Sequence, residues 1–178
     1  MPMQVWRLIL TALVVMLAGG GCAVDSREPS AAVAEAGLES SATDGEEALV
    51  VHVVDGDTFD VELSVGTTER VRLPQVDTPE LEACGYAESA EALDELVLGA
   101  TVRLVPTESG PDRDSHGRLL RAAELDGDDV GRVLVRDGLA RWVSRYADED
   151  PRLAEIYEEA ERRAREEAAG LWSSCRWP

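Results

Sequence analysis

Apolar side chains crowd the run Leu49-Val50-Val51-His52-Val53-Val54, whose branched residues favour an extended backbone. The run stops at Asp55-Gly56, a dipeptide suited to a tight hairpin, and a partner strand is predicted from Thr58 to Leu63. After a polar turn over 64–68, residues 69–76 read as a third strand. Val71, Leu73 and Gln75 then share one face, with Arg72, Pro74 and Val76 on the other, and the imperfect alternation predicts a bend. Ala90, Leu93, Leu96 and Val97 recur at helical spacing within 87–99, a segment that Gly99 closes. Further strands are expected at Thr101–Pro106 and Leu119–Leu125, separated by a polar loop rich in Gly, Pro and Asp. Asp128 or Asp129 should cap a short helix through Val130, Val133, Leu134 and Val135 that ends at Gly138. Asp150-Pro151 should start a last helix, running to Gly170 with Leu153, Ile156, Tyr157, Ala160 and Ala164 inward.

Five short strands, a helix between the third and fourth and helices after the fifth predict an α+β, mainly β fold. The expected form is a five-stranded closed barrel of the oligonucleotide-binding (OB) type with about three packed helices. His52 reads as a strand residue without a catalytic role, and with only His116 elsewhere no histidine metal site is expected. Asp126-Gly127-Asp128-Asp129 lacks the spaced ligands and distal Glu of a calcium-binding helix-loop-helix, so it reads as a turn and helix cap.

The residues before Leu49 follow a different pattern. Arg7 precedes the apolar stretch 8–18, interrupted only by Thr11, and Gly19-Gly20-Gly21-Cys22 follows, the plan of an export signal. Eleven residues fall short of the roughly 20 that span a bilayer, so cleavage is expected. Cys22 is similar to the lipidated cysteine of a bacterial lipoprotein signal, although Gly19 stands where Leu is usual; ordinary cleavage nearby and a plain free thiol are the alternatives. Residues 23–47, rich in Ala, Ser and Glu with no aromatic residue, are expected to be a disordered acidic linker, leaving 48–178 as the folded domain. With Cys22 set aside, Cys84 and Cys175 form an even pair, expected as a disulfide in an exported protein.

Charge narrows the function. The formal net charge is −19, and all 17 basic residues are Arg. Setting aside Arg7 and the linker, the domain alone remains strongly acidic, so any polyanion must be held by local arginine clusters or a metal ion against a repulsive field.

Three separated motifs supply such groups: Val54-Asp55-Gly56-Asp57-Thr58-Phe59, then Arg72 through Asp77-Thr78-Pro79-Glu80, then Asp112-Arg113-Asp114-Ser115-His116-Gly117-Arg118-Leu119. Pro79 fixes a rigid turn that can aim Asp77 and Glu80. In this order the motifs resemble the staphylococcal-type thermonuclease family, a resemblance that extends over about 49–175 and takes in Gly138-Leu139-Ala140 and Gly170-Leu171-Trp172-Ser173. It implies the OB barrel and a calcium-dependent nuclease acting on DNA and RNA, single-stranded or frayed substrate favoured, leaving 3′-phosphate ends. A monomer is expected, exported, on the leader pattern and Cys22, as a membrane-anchored lipoprotein or as a secreted or periplasmic protein. Asp57, Asp77 and the Thr78 carbonyl correspond to calcium ligands, Glu80 to the candidate general base, and Arg72 and Arg118 to the phosphate-gripping pair. Ser115, His116 and Tyr146 occupy substrate-contacting positions, with Ser144 where a tyrosine is usual. Ser115-His116 stands where Lys-Tyr is frequent. These departures bear on affinity and base preference, not on reaction type. Trp172 is expected as a core anchor. The rival readings are a catalytically silent OB module binding nucleic acid or protein on the envelope, and a calcium-binding envelope lipoprotein with a structural acidic surface.

Overall fold

The computed structural model describes residues 45–177; the predicted signal over 1–22, Cys22 and most of the linker lie outside the described residues. The first strand, β1 (Glu46–Asp55), starts two residues inside the span read as linker. It turns at Asp55-Gly56 into β2 (Thr58–Leu63), which pairs antiparallel with β3 (Thr68–Arg72). Register shifts between Val50 and His52 and between Val53 and Asp55 bend β1. The bent strand serves two partners: its first half also pairs with β5 (Thr101–Pro106), and β5 pairs with β6 (Leu119–Leu125). A parallel contact of two residue pairs, Val71 with Leu119 and Arg72 with Leu120, joins β3 to β6 and closes the sheet into the expected five-stranded barrel.

The predicted third strand is shorter than its sequence pattern suggested. It stops at Arg72, and the chain resumes as β4 (Val76–Asp77), paired with β8 (Arg141–Trp142) instead of the barrel. Gln75 causes the break. Its φ is +59°, and its buried side chain donates to the Asp150 carbonyl at 2.9 Å and accepts from Trp142 Nε1 at 3.3 Å. A residue in this conformation costs free energy that only surrounding bonds can offset. Those bonds run to parts of the chain some seventy residues away, so no local pattern could announce them.

Phe59, Val61, Val71, Val102, Leu104 and Ala123 fill the barrel, and α1 (Tyr86–Val97) covers it with Leu93 and Val97. Asp129, in the short β7 (Asp128–Asp129), caps α2 (Val130–Arg136) by accepting from the Arg132 N–H at 2.7 Å, so the acidic cluster is a turn and cap as expected. Asp150 caps α3 (Pro151–Glu166) by accepting from the Leu153 N–H. The last predicted helix ends four residues early, and a one-turn α4 (Leu171–Ser174) follows. The reason is a backbone crossing: a Cβ on Gly138, whose φ is +72°, would stand 2.2 Å from the Ala169 carbonyl oxygen, and Leu171 N–H bonds to the Gly138 carbonyl. Leu171 is the buried anchor here. Trp172 is only half-buried, 5.3 Å from the Trp177 ring.

The expected disulfide is present. Cys84 and Cys175 have Cα atoms 5.8 Å apart and close a loop of sequence separation 91, tying the segment after Glu80 to the chain beyond α4.

Candidate active site

The barrel closure brings the three motifs together. Gly56 lets the first hairpin press onto α1 and the second motif, since a Cβ there would meet Ser89 Cβ at 2.7 Å and Thr78 Cγ2 at 2.9 Å. That approach seats Asp57, only 6% exposed, among donors. Its Oδ1 accepts from Thr58 Oγ1 at 2.9 Å and lies 3.0 Å from Arg72 Nε; its Oδ2 accepts from the Thr78 N–H and hydroxyl at 3.2 and 3.1 Å. Burial pushes the Asp57 carboxyl up to about 6; the neighbouring Arg72 opposes this, and Asp55, whose Oδ1 accepts from the Asp57 N–H, adds to the rise.

The second motif enters from β3 through the Gln75 turn. Arg72 donates to the Leu73 carbonyl at 2.6 Å, and its Nη2 is 3.9 Å from Asp77 Oδ1. Asp77 is also held by Arg141, whose Nη2 and Nε lie 2.7 and 3.0 Å from Oδ2. Arg141 belongs to β8, far along the chain, and its role was not legible in any motif. Glu80 is exposed, at the rim of the turn made by Pro79.

The third motif is a tight loop built on Asp114. Its Oδ1 accepts from the His116 and Arg118 N–H groups, and its Oδ2 accepts from Arg118 Nε at 2.7 Å. Burial raises the Asp114 carboxyl, but the side-chain and backbone hydrogen bonds from Arg118, with the His116 N–H, outweigh it and hold the pKa below its ordinary value. Arg118 Nη1 reaches Thr58 Oγ1 at 3.4 Å. Thr58 thereby links the two candidate phosphate-gripping arginines through Asp57, a link that the motif contains but that sequence reasoning did not single out.

Asp55, Asp57, Arg72, Thr78, Glu80 and Arg118 line one cleft of about 140 Å³. Arg72 and Arg118 also line a neighbouring cavity of about 370 Å³, whose wall includes Asp77, Ser115 and Tyr146. Five predicted residues therefore meet at the first cleft, two of them the arginines that open onto the second. Ser115 and Tyr146 face the second cavity, whereas His116 lines neither.

The donor set suits a hard cation. Asp55, Asp57 and Glu80 offer carboxylate oxygens to the same small cleft, and burial raises the Asp57 carboxyl despite the Arg72 guanidinium beside it. Asp77, expected as a ligand with Asp57, lines the larger cavity instead and is held by Arg141. Among the described residues no group of three or more His, Cys, Asp or Glu side chains is placed to hold a metal ion by itself, so any cation here would need oxygen ligands from backbone, water or substrate as well. A cation held here would keep coordination places for water and a phosphate oxygen.

Residues 70–174, well over half of the chain, match the model of staphylococcal nuclease homologues. The chain belongs to the staphylococcal nuclease family. Among curated relatives of this nuclease-family chain, an uncharacterized endonuclease of Escherichia coli is 35% identical over 127 residues, covering 71% of this chain and 76% of the relative. A thermonuclease of Staphylococcus intermedius is 33% identical over 145 residues, covering 76% and 82%. An SPbeta prophage-derived endonuclease of Bacillus subtilis is 30% identical over 125 residues, covering 67% of this chain and 42% of the longer relative.

Proposed function

We propose that this nuclease hydrolyses phosphodiester bonds of DNA and RNA in a calcium-dependent reaction and leaves 3′-phosphate ends. Its hydrolase character follows from family membership; the observation that supports the finer reading is that Arg72 and Arg118 line both the carboxylate cleft and the larger cavity beside it. A phosphodiester lying between the two would meet two guanidinium forks, which bind phosphate oxygens in bidentate fashion and stabilise the charge that develops on them. Glu80 makes no side-chain hydrogen bond or ion pair among the described residues, and it is free to orient or deprotonate a water at the cleft. Asp57 and the Thr78 carbonyl at the cleft would hold calcium, joined by Asp77 if its carboxylate exchanges Arg141 for the ion, and the ion would supply Lewis-acid polarisation of a phosphoryl oxygen. Tyr146 and Ser115, on the wall of the larger cavity, would meet the adjacent nucleotide.

The test is incubation of the purified protein with single-stranded DNA, duplex DNA and RNA, with calcium or with chelator. Cleavage in calcium, loss of cleavage in chelator, faster cutting of single strands and product masses carrying a 3′ phosphate are expected. Calcium binding without any product after prolonged incubation would return the reading to a silent barrel.

Export belongs to the same proposal. The apolar stretch followed by three glycines supports acylation at Cys22, with the acidic linker read over 23–47 as the tether up to the first strand. Replacing Cys22 by Ser should move the protein from the membrane fraction to the soluble one. A wild-type protein without acyl mass would remove the anchor from the reading.

A further inference from the structure

We infer that Arg145 holds a second phosphate of the substrate strand, so that the enzyme grips a polynucleotide beyond the bond it cleaves; the inference rests on the nuclease reading above. The first observation is charge accounting. Among the described residues, each arginine except Arg145 and Arg176 is paired with a carboxylate, as the acidic composition would lead one to expect. An arginine left unpaired in a chain of net charge −19 is a cation whose charge is uncommitted.

The second observation is position. Arg145 lies in the 3-10 helix Ser144–Glu149 and lines two cavities at once: the one of about 370 Å³ bounded by Arg72, Arg118 and Tyr146, and another of about 260 Å³ bounded by Arg141 and Arg165. Asp77 and Val143 are also common to both walls, so the two cavities adjoin. In the second cavity Arg141 is engaged with Asp77, and Arg165 lies 3.1 Å from Glu161 and 4.5 Å above the Trp172 ring. Arg145 is thus the group on the shared wall with a full charge to give.

Its stacking suits that role. The guanidinium carbon is 4.8 Å from the centroid of the Tyr146 ring. A guanidinium lying over an aromatic face is held by it while the N–H donors in its plane stay available to a phosphate fork. Tyr146, 40% exposed, can offer ring surface to a base while its neighbour takes the phosphate. The ligand class is a single-stranded polynucleotide with at least one phosphate beyond the scissile one.

The test compares Arg145→Gln with wild type on two substrates, a dinucleotide with one phosphodiester and a single-stranded oligonucleotide of about a dozen nucleotides, within the roughly 4 to 16 that such a barrel covers. The oligonucleotide should show KM raised about five- to tenfold with kcat unchanged, and the dinucleotide should show neither change. A second readout needs no cleavage. Anisotropy of the labelled oligonucleotide in chelator, followed against salt, should lose about 0.7 from its logarithmic slope in Arg145→Gln, keep it in Arg145→Lys, and keep it in Arg136→Gln, whose guanidinium is paired with Asp137. An unchanged salt slope in Arg145→Gln, or equal losses on both substrates, overturns the inference. If wild type cuts neither substrate, the nuclease reading fails instead, and the anisotropy series still decides whether Arg145 binds phosphate.

Discussion

Glu80→Gln and Arg118→Ala should each lower turnover on single-stranded DNA at saturating calcium by about a hundred- to a thousandfold, while the thermal midpoint moves by less than about 3 °C. The two halves of that expectation have separate structural grounds. Glu80 is exposed and bonded to nothing else among the described residues, so its amide would remove a base or water anchor and leave the packing alone. Arg118 contributes a guanidinium bonded to Asp114 and Thr58, but the loop does not depend on it. Asp114 still accepts from the His116 and Arg118 N–H groups, and β6 is still paired to β3 and β5. Losing one preorganised donor to a developing oxyanion costs about 3 to 4 kcal/mol, which is the stated range of rate. Asp57→Ala is a different experiment, since it strips a buried acceptor from Thr58, Thr78 and Arg72 and should raise the calcium requirement as well as lower the rate. Retention by Glu80→Gln or Arg118→Ala of more than about a tenth of wild-type turnover, a loss below about 1.4 kcal/mol, would mean that the site is misassigned.

Reduction of the Cys84–Cys175 bridge, or replacement of both cysteines by Ser, should destabilise the domain by about 4 kcal/mol. A crosslink at sequence separation 91 removes a large share of the freedom of the unfolded chain, and the loop-closure relation gives about that figure. For a domain of this length the corresponding fall in melting temperature is about 12 to 16 °C. Intact mass before and after alkylation should show no reactive thiol from Cys84 or Cys175 until reductant is added. Two free thiols in the unreduced native domain, or a melting temperature that reductant shifts by less than about 3 °C, would refute it.

What the sequence made legible was whatever depends on neighbours along the chain. Strand positions at Thr101–Pro106 and Leu119–Leu125, a cap at Asp128 or Asp129, the Asp150 cap and the hairpin at Asp55-Gly56 all follow from periodicity and short-range hydrogen bonding, and the structure has them, with Asp129 as the first cap. The three motifs could be singled out because each carries its chemistry in a few adjacent residues. Gln75 read as one more strand residue because its partners, Asp150 and Trp142, come from the other end of the domain. The same reason hid Arg141, which grips Asp77 across 64 residues of sequence, and Arg145, whose distinction is a carboxylate it lacks rather than one it has. The early stop of the last helix was illegible as well, because Gly138 and Gly170 mean something only once their backbones cross.

Among the described residues β3 and β6 close the barrel through two residue pairs, and the two candidate phosphate-gripping arginines stand at this closure. Arg72 is itself one of the paired residues, and Arg118 directly precedes Leu119, which pairs with Val71. The pairing of Thr58 with Arg72 and the bonds through Thr58 and Asp57 tie the two arginines as well, so this short parallel ladder can open locally while those ties remain. Amide exchange along the ladder should report the free energy of that local opening, which a melting curve of the whole domain does not resolve.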